Sequence, residues 1–212
     1  MSVDWAIYLT VWAFIAANVA SPGPNVLNTI TTAMGSGRTA GLWSAWAVGV
    51  GVSLWCIGMA LGVAALFALV PVAEKLMRLV GAGLLIWFAS RYLRAAYHGF
   101  HKRPMSLVGV AGLSRRAAFL RSLSVNALNP KALTTWLFVL STFPVARAGA
   151  FDVFLLGLGT AVVATVIHVI YALVFSTPTA ARAYLRAAPV INLVVGVFFL
   201  TVASKLLLSV IS

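Results

Sequence analysis

Apolar residues run along this chain in six long stretches, separated by short polar and mostly basic punctuation. A helix crossing the hydrocarbon core of a bilayer needs about 20 predominantly apolar residues. The stretches 4–36, 40–69, 74–96, 117–143, 151–175 and 187–210 each reach that length. The pattern predicts an all-α fold: a polytopic membrane protein with six transmembrane helices in one transmembrane domain over 1–212.

Two of the six stretches cannot run straight. The first, of about 33 residues, would be near 50 Å long at the helical rise, well beyond a bilayer core of about 30 Å. It is interrupted by Asn18-Val19-Ala20-Ser21-Pro22-Gly23-Pro24-Asn25. The fourth carries Asn126-Ala127-Leu128-Asn129-Pro130-Lys131 near its middle. In each, an Asn stands four residues before a Pro. Proline has no N–H and its ring clashes with the preceding turn, while Gly23 frees the backbone between two prolines. A broken helix in a membrane is tolerated only where the break faces protein or a polar cavity. Paired breaks in corresponding halves of a chain point to the binding site of a secondary transporter.

The chemistry of such a site follows from helix ends. Pro24 and Pro130 suit the first position of a new half-helix, whose free N–H groups and positive dipole end then point into mid-membrane. Two such ends form an anion site, and Lys131 adds a full charge. The preceding half-helices end in free carbonyls, and the amides of Asn18, Asn126 and Asn129 add acceptors. A zwitterion fits: carboxylate at the N-termini and Lys131, ammonium at carbonyls and amide oxygens. The candidate substrate-binding set is therefore Asn18, Ser21, Pro22, Gly23, Pro24, Asn25, Asn126, Asn129, Pro130 and Lys131. The bland alternative is a pair of proline kinks with a snorkelling lysine. A charge beside a matched break weighs against it.

Composition agrees with the pattern. Of 212 residues, 62% are hydrophobic and 8% charged, with mean hydropathy +1.04; a soluble domain carries roughly 25% charged residues. The net charge of +12 does not imply nucleic acid, because the basic residues lie between apolar stretches, where they orient a membrane protein. Arg38, Arg91, Arg94, Lys102, Arg103, Arg115, Arg116, Arg121, Arg182 and Arg186 fall on one side. Lys75, Arg78, Arg147 and Lys205, with Asp4, Glu74 and Asp152, fall on the other. The expectation is that both termini lie outside the cytoplasm. Three spans per half is an odd number, so repeat one (1–96) and repeat two (117–212), joined by the loop 97–116, would insert in opposite directions as inverted repeats, with helices one and four broken.

What is missing narrows the function. Cys56 is the sole cysteine and the three acids are peripheral. No disulfide, cofactor, metal or catalytic constellation is expected, and the chain does not read as an enzyme. The start of the chain shows no cleavable signal pattern. With no acid in a span core, a neutral amino acid is favoured over a cationic one. A channel, or a transporter for another small solute or ion, is the alternative, but it would need acidic or sulfur ligands in the spans. His168 is the mid-span histidine; it either relays protons or stands neutral between helices. Gly49, Gly51, Gly58, Gly62, Gly157 and Gly159 predict close helix packing. Trp43, Trp46, Trp55, Trp87 and Trp136 are expected mostly as interfacial or lipid-facing anchors.

Ser21-Pro22-Gly23-Pro24-Asn25, Arg38-Thr39-Ala40-Gly41, Phe119-Leu120-Arg121 and Asn126-x-x-Asn129-Pro130-Lys131 together resemble the LysE/RhtB family of amino-acid exporters. The resemblance covers nearly the whole chain. It implies proton-driven export of amino acids or close derivatives across the bacterial cytoplasmic (inner) membrane, and a homodimer. This chain departs from the family pattern twice: Asn25 stands where members often carry an acid, and Trp55 where many carry a histidine. Both changes remove titratable groups and turn attention to His168 as the proton-coupling candidate.

Overall fold

Asp4 starts the first helix, its carboxylate accepting from Ala6 N at 2.9 Å. In the computed structural model, residues 4–69, 73–101, 107–143 and 148–211 are described. They form α1 (Trp5–Ala20), α2 (Pro24–Leu69), α3 (Ala73–His101), α4 (Arg115–Ala127), α5 (Pro130–Thr142), α6 (Ala150–Val174) and α7 (Pro178–Ile211). No strand occurs among the described residues.

Both interruptions are real chain breaks. Ser21 N closes α1 on Ala17 O and Asn18 O, and Pro22, having no N–H, cannot continue the ladder. Pro24 then opens α2. In the second case α4 stops at Ala127, Leu128 and Asn129 leave helical geometry, and Pro130 opens α5. Each of α4 and α5 has 13 residues, about 20 Å of helix, so neither crosses a bilayer core alone.

Other boundaries differ from the hydropathy pattern. The expected gap between 36 and 40 is a one-residue kink inside α2, at Gly37 with φ 84° and ψ 166°. That region of backbone space belongs almost entirely to glycine. A Cβ there would meet nothing within 4 Å, so the cost of substitution is conformational alone. Gly37→Ala and Gly37→Val are each expected to destabilise the protein by about 1–3 kcal/mol, equally within error, in thermal unfolding of the purified protein. α3 runs on to His101, and α7 begins at Pro178 rather than 187, because Arg182 and Arg186 lower the apolar score of a stretch that is helical nonetheless. Part of the expected loop 97–116 is thus helix, and Val110 straps back onto α2, donating to Thr31 O at 2.9 Å.

Among the described residues, three helical stretches are long and apolar enough to cross a membrane: Pro24–Gly62, Ala150–Val174 and Pro178–Leu208. α2 packs on α6 and α4, α3 packs on α7 and α5, and α1 lies against α6 and α5. Apolar side chains such as Leu54, Leu61, Phe151, Phe154, Val166 and Val194 point outward, while Asn18, Ser21, Ser44, Ser122, Asn126 and His168 are buried. Large apolar side chains on the outside together with this many buried polar ones depart from the arrangement of a soluble protein. The aromatic core centres on Phe14, with ring centroids 4.0 Å from Phe138 and 4.9 Å from Phe199.

The small-residue expectation holds at some positions and fails at others. A Cβ on Gly49 would fall 2.0 Å from Thr165 Oγ1, and one on Gly51 2.4 Å from Asn126 Oδ1, so α2 approaches α6 and α4 only because both are glycine. Gly58 and Gly62 face nothing within 4 Å among the described residues, so their GxxxG spacing makes no contact there. Trp43, Trp46 and Trp87 are exposed as anchors should be, whereas Trp136 is buried in the core at 2% exposure.

Candidate functional site

Lys131 occupies the first turn of α5, directly after the break. Its Nζ donates to Asn18 O at 2.6 Å and to Ser21 Oγ at 2.8 Å, with Ser21 O at 3.5 Å. One side chain therefore joins the two breaks. It also caps the C-terminal carbonyls of α1, where the helix dipole favours a cation. Nζ lies 5.5 Å from the centroid of the Tyr92 ring, within cation–π range.

A polar network surrounds this joint. Ser21 Oγ donates to Asn18 O at 2.6 Å. Tyr92 OH lies 2.7 Å from Ser21 Oγ and 3.2 Å from Asn18 Oδ1; its one proton serves one of them at a time. Asn18 Nδ2 donates to Thr135 Oγ1 at 2.6 Å. Ala20 O, the last carbonyl of α1, accepts from Tyr171 OH at 2.7 Å and Tyr184 OH at 3.2 Å. The carbonyls expected to receive a substrate ammonium are thus held by the protein's own donors.

The two new N-termini differ. At α5, Asn129 Oδ1 accepts from Lys131 N at 3.0 Å, so this end is capped from within. At α2, Leu27 N bonds Gly23 O at 3.0 Å, and the N–H groups of Asn25 and Val26 have no intrahelical acceptor. The expected pair of open N-termini is therefore one open end, at α2.

A cavity of about 50 Å³ lies between the breaks, room for a few water molecules. Asn18, Ser21, Gly23, Pro24 and Asn25 line it from the first break. Asn126, Asn129 and Lys131 line it from the second, and His168 from α6. Of the expected set, Pro22 is not on the wall; Pro130 opens α5, and its side chain lies outside the described residues. His168 is 1% exposed, and its Nδ1 sits 2.9 Å from Ala164 O. A carbonyl only accepts, so Nδ1 carries the proton and Nε2 presents its lone pair.

Tyr92 and Tyr184 are not predicted by the sequence pattern, and Tyr171 is expected only beside His168; all three serve the first break. The signal was available, since a buried tyrosine needs a partner for its hydroxyl. The sequence pattern also placed Asp152 at the periphery. Asp152 is 8% exposed, accepts from Tyr8 OH at 2.8 Å and Gly149 N at 3.0 Å, and so ties α1 to the start of α6.

The model of the LysE type translocator family matches residues 16–210, both breaks and Lys131 included. The chain belongs to that family. Within it, the chain is 27% identical over 205 residues to the uncharacterized membrane protein YahN of Escherichia coli (strain K12), covering 92% of this chain and 87% of that protein. It is 28% identical over 141 residues to the homoserine/homoserine lactone efflux proteins of Salmonella typhi and Salmonella typhimurium, covering 66% of this chain and 63% of theirs. No solved structure matches the chain. The family is one of membrane translocators and not of enzymes, and the efflux relatives support amino-acid export in general.

Proposed function

We propose that this protein is a secondary transporter that exports small neutral amino acids, homoserine- or threonine-like, from the cytoplasm in exchange for protons. The observation that carries the reading is the Lys131 joint. One intramembrane ammonium holds both chain breaks together beside a cavity that Asn18, Asn25, Asn126, Asn129 and His168 help to line, and such a charge is retained against its cost when it serves a solute pathway. The efflux relatives add the substrate class. The proposed frame is six spans in two inverted three-helix repeats, 1–96 and 117–212, in the bacterial inner membrane with both termini outside the cytoplasm, assembling as a homodimer. The substrate carboxylate meets Lys131 and the open N-terminus of α2. By competing with Asn18 O and Ser21 for the ammonium, it loosens the joint, and one repeat then rocks against the other. His168 is the proton-coupling group.

A screen of the purified protein against amino acids tests this reading. A ligand at about 100 times its Kd stabilises the bound state by about 2.7 kcal/mol. L-homoserine or L-threonine is expected to raise the melting temperature and to leave loaded proteoliposomes, with L-lysine doing neither. No shift and no flux with any amino acid overturns the proposal.

A further inference from the structure

Three residues that line the cavity each carry a buried acceptor atom with no hydrogen-bond partner among the described residues: Asn25 Oδ1, Asn126 Oδ1 and His168 Nε2. They come from three different helices, α2, α4 and α6. Asn126 and His168 are each 1% exposed. A buried acceptor without a donor carries a desolvation cost, so three around one cavity need a common explanation. The neighbouring amides differ: Asn18 Oδ1 has Tyr92 OH within reach and Asn129 Oδ1 accepts from Lys131 N. The residues of one cavity thus carry unpartnered acceptors as well as the Lys131 ammonium, and a primary ammonium carries three N–H donors.

We propose that Asn25, Asn126 and His168 form the seat for the primary ammonium group of the transported amino acid, and that the substrate ammonium and the coupling proton compete for the one lone pair on His168 Nε2. The inference rests on the amino-acid reading above and assigns its polarity. The carboxylate lies toward Lys131 and the backbone N–H groups of Asn25 and Val26, and the ammonium toward the side chains of Asn25, Asn126 and His168. Because Nδ1–H is committed to Ala164 O, a proton arriving at the imidazole goes to Nε2. Imidazolium then offers a donor and a positive charge where the substrate needs an acceptor. The two cargoes exclude each other at one atom, which is what exchange in opposite directions requires.

The other charged or titratable groups around the seat are few. Lys131 faces the cavity from α5. Neither α1 nor α2 places a titratable side chain on the cavity wall. Cys56 of α2 lies against Gly157, about three turns from His168 along α6. On α6 itself the Tyr171 ring is 6.1 Å from the imidazole, with Tyr184 of α7 beyond it.

The test uses the full protein in proteoliposomes and detergent, with L-homoserine, 2,4-dihydroxybutanoate (hydroxyl in place of the amine) and N-acetyl-L-homoserine as probes. L-homoserine is expected to bind and cross, and both analogues to bind about 10- to 100-fold more weakly, the range for losing a hydrogen bond to a charged group. L-homoserine binding is expected to weaken as pH falls, by up to about tenfold per unit once Nε2 titrates. His168→Gln, which keeps an amide acceptor but cannot titrate, should retain binding within several-fold and lose that pH dependence. Asn126→Ala should weaken L-homoserine about tenfold and the hydroxy analogue much less. Equal transport of L-homoserine and 2,4-dihydroxybutanoate overturns the seat while leaving amino-acid export standing. Unchanged pH dependence in His168→Gln overturns the competition. No binding of L-homoserine, L-threonine or any other amino acid overturns both the seat and the reading beneath it.

Discussion

Lys131→Ala is expected to reduce amino-acid export at least about 100-fold while the protein still inserts in the membrane. The argument is local. Removing the ammonium leaves Asn18 O at the end of α1 without its strongest donor and strips Ser21 Oγ of a charge-assisted bond. Each bond of that kind contributes about 1.5–3 kcal/mol, and the cation also offsets the negative end of the α1 dipole. Folding is less exposed than function, because Tyr171 and Tyr184 still hold Ala20 O and Thr135 still holds Asn18. Lys131→Arg is not expected to rescue transport. Gly23 passes so near that a Cβ there would lie 3.4 Å from Nζ, and a planar guanidinium needs a wider approach than a compact ammonium. Flux of labelled L-homoserine from proteoliposomes, with melting temperature recorded in parallel, separates lost transport from lost fold. Wild-type flux of every amino acid tested in Lys131→Ala would remove the joint from the mechanism.

The breaks and their charge were legible in the sequence because proline lacks the N–H that a helix interior uses and two breaks share one pattern, although Pro189 sits inside α7 without ending it. Asn18, Asn25, Asn126, Lys131 and His168, far apart in sequence, line one cavity, and the residue types alone had nominated them. What the sequence could not give is the partner of each group. Lys131 spans 113 positions to reach Asn18 O, and nothing in local pattern says whether an intramembrane lysine faces a solute or caps a neighbouring helix. Here it caps, which occupies the α1 carbonyls and leaves the amide oxygens of Asn25 and Asn126 without a partner among the described residues. Periodicity also failed where glycine mattered for different reasons. Gly37 is a backbone bend, Gly51 a point of close approach, and Gly58 touches nothing within 4 Å. A hydropathy count reads all three alike. The start of α7 was lost for a related cause, since Arg182 and Arg186 break an apolar run without breaking a helix.

The close approach at Gly51 carries the second large effect. A methyl group added there would stand 2.4 Å from Asn126 Oδ1 and 2.7 Å from its Cγ, a distance real side chains do not share. Something must move, and the backbone of α4 is held at that point by Trp55 Nε1, 3.4 Å from Asn126 O. The Asn126 side chain is the softer element, so Gly51→Ala turns it away from the cavity wall. Overpacking of this kind costs about 1–3 kcal/mol. Gly51→Ala is therefore expected to lower the melting temperature and to weaken L-homoserine binding at least about tenfold. Asn126→Ala in the same chain removes the two shortest contacts and leaves only the tight one to the Cβ of residue 126, at 3.1 Å, so the double variant should be more stable than Gly51→Ala alone yet bind no better than Asn126→Ala. Contacting residues couple by about 0.5–3 kcal/mol in such cycles. Purely additive stabilities would mean that α2 and α4 yield as rigid bodies, in which case the glycine sets helix spacing and not the aim of Asn126.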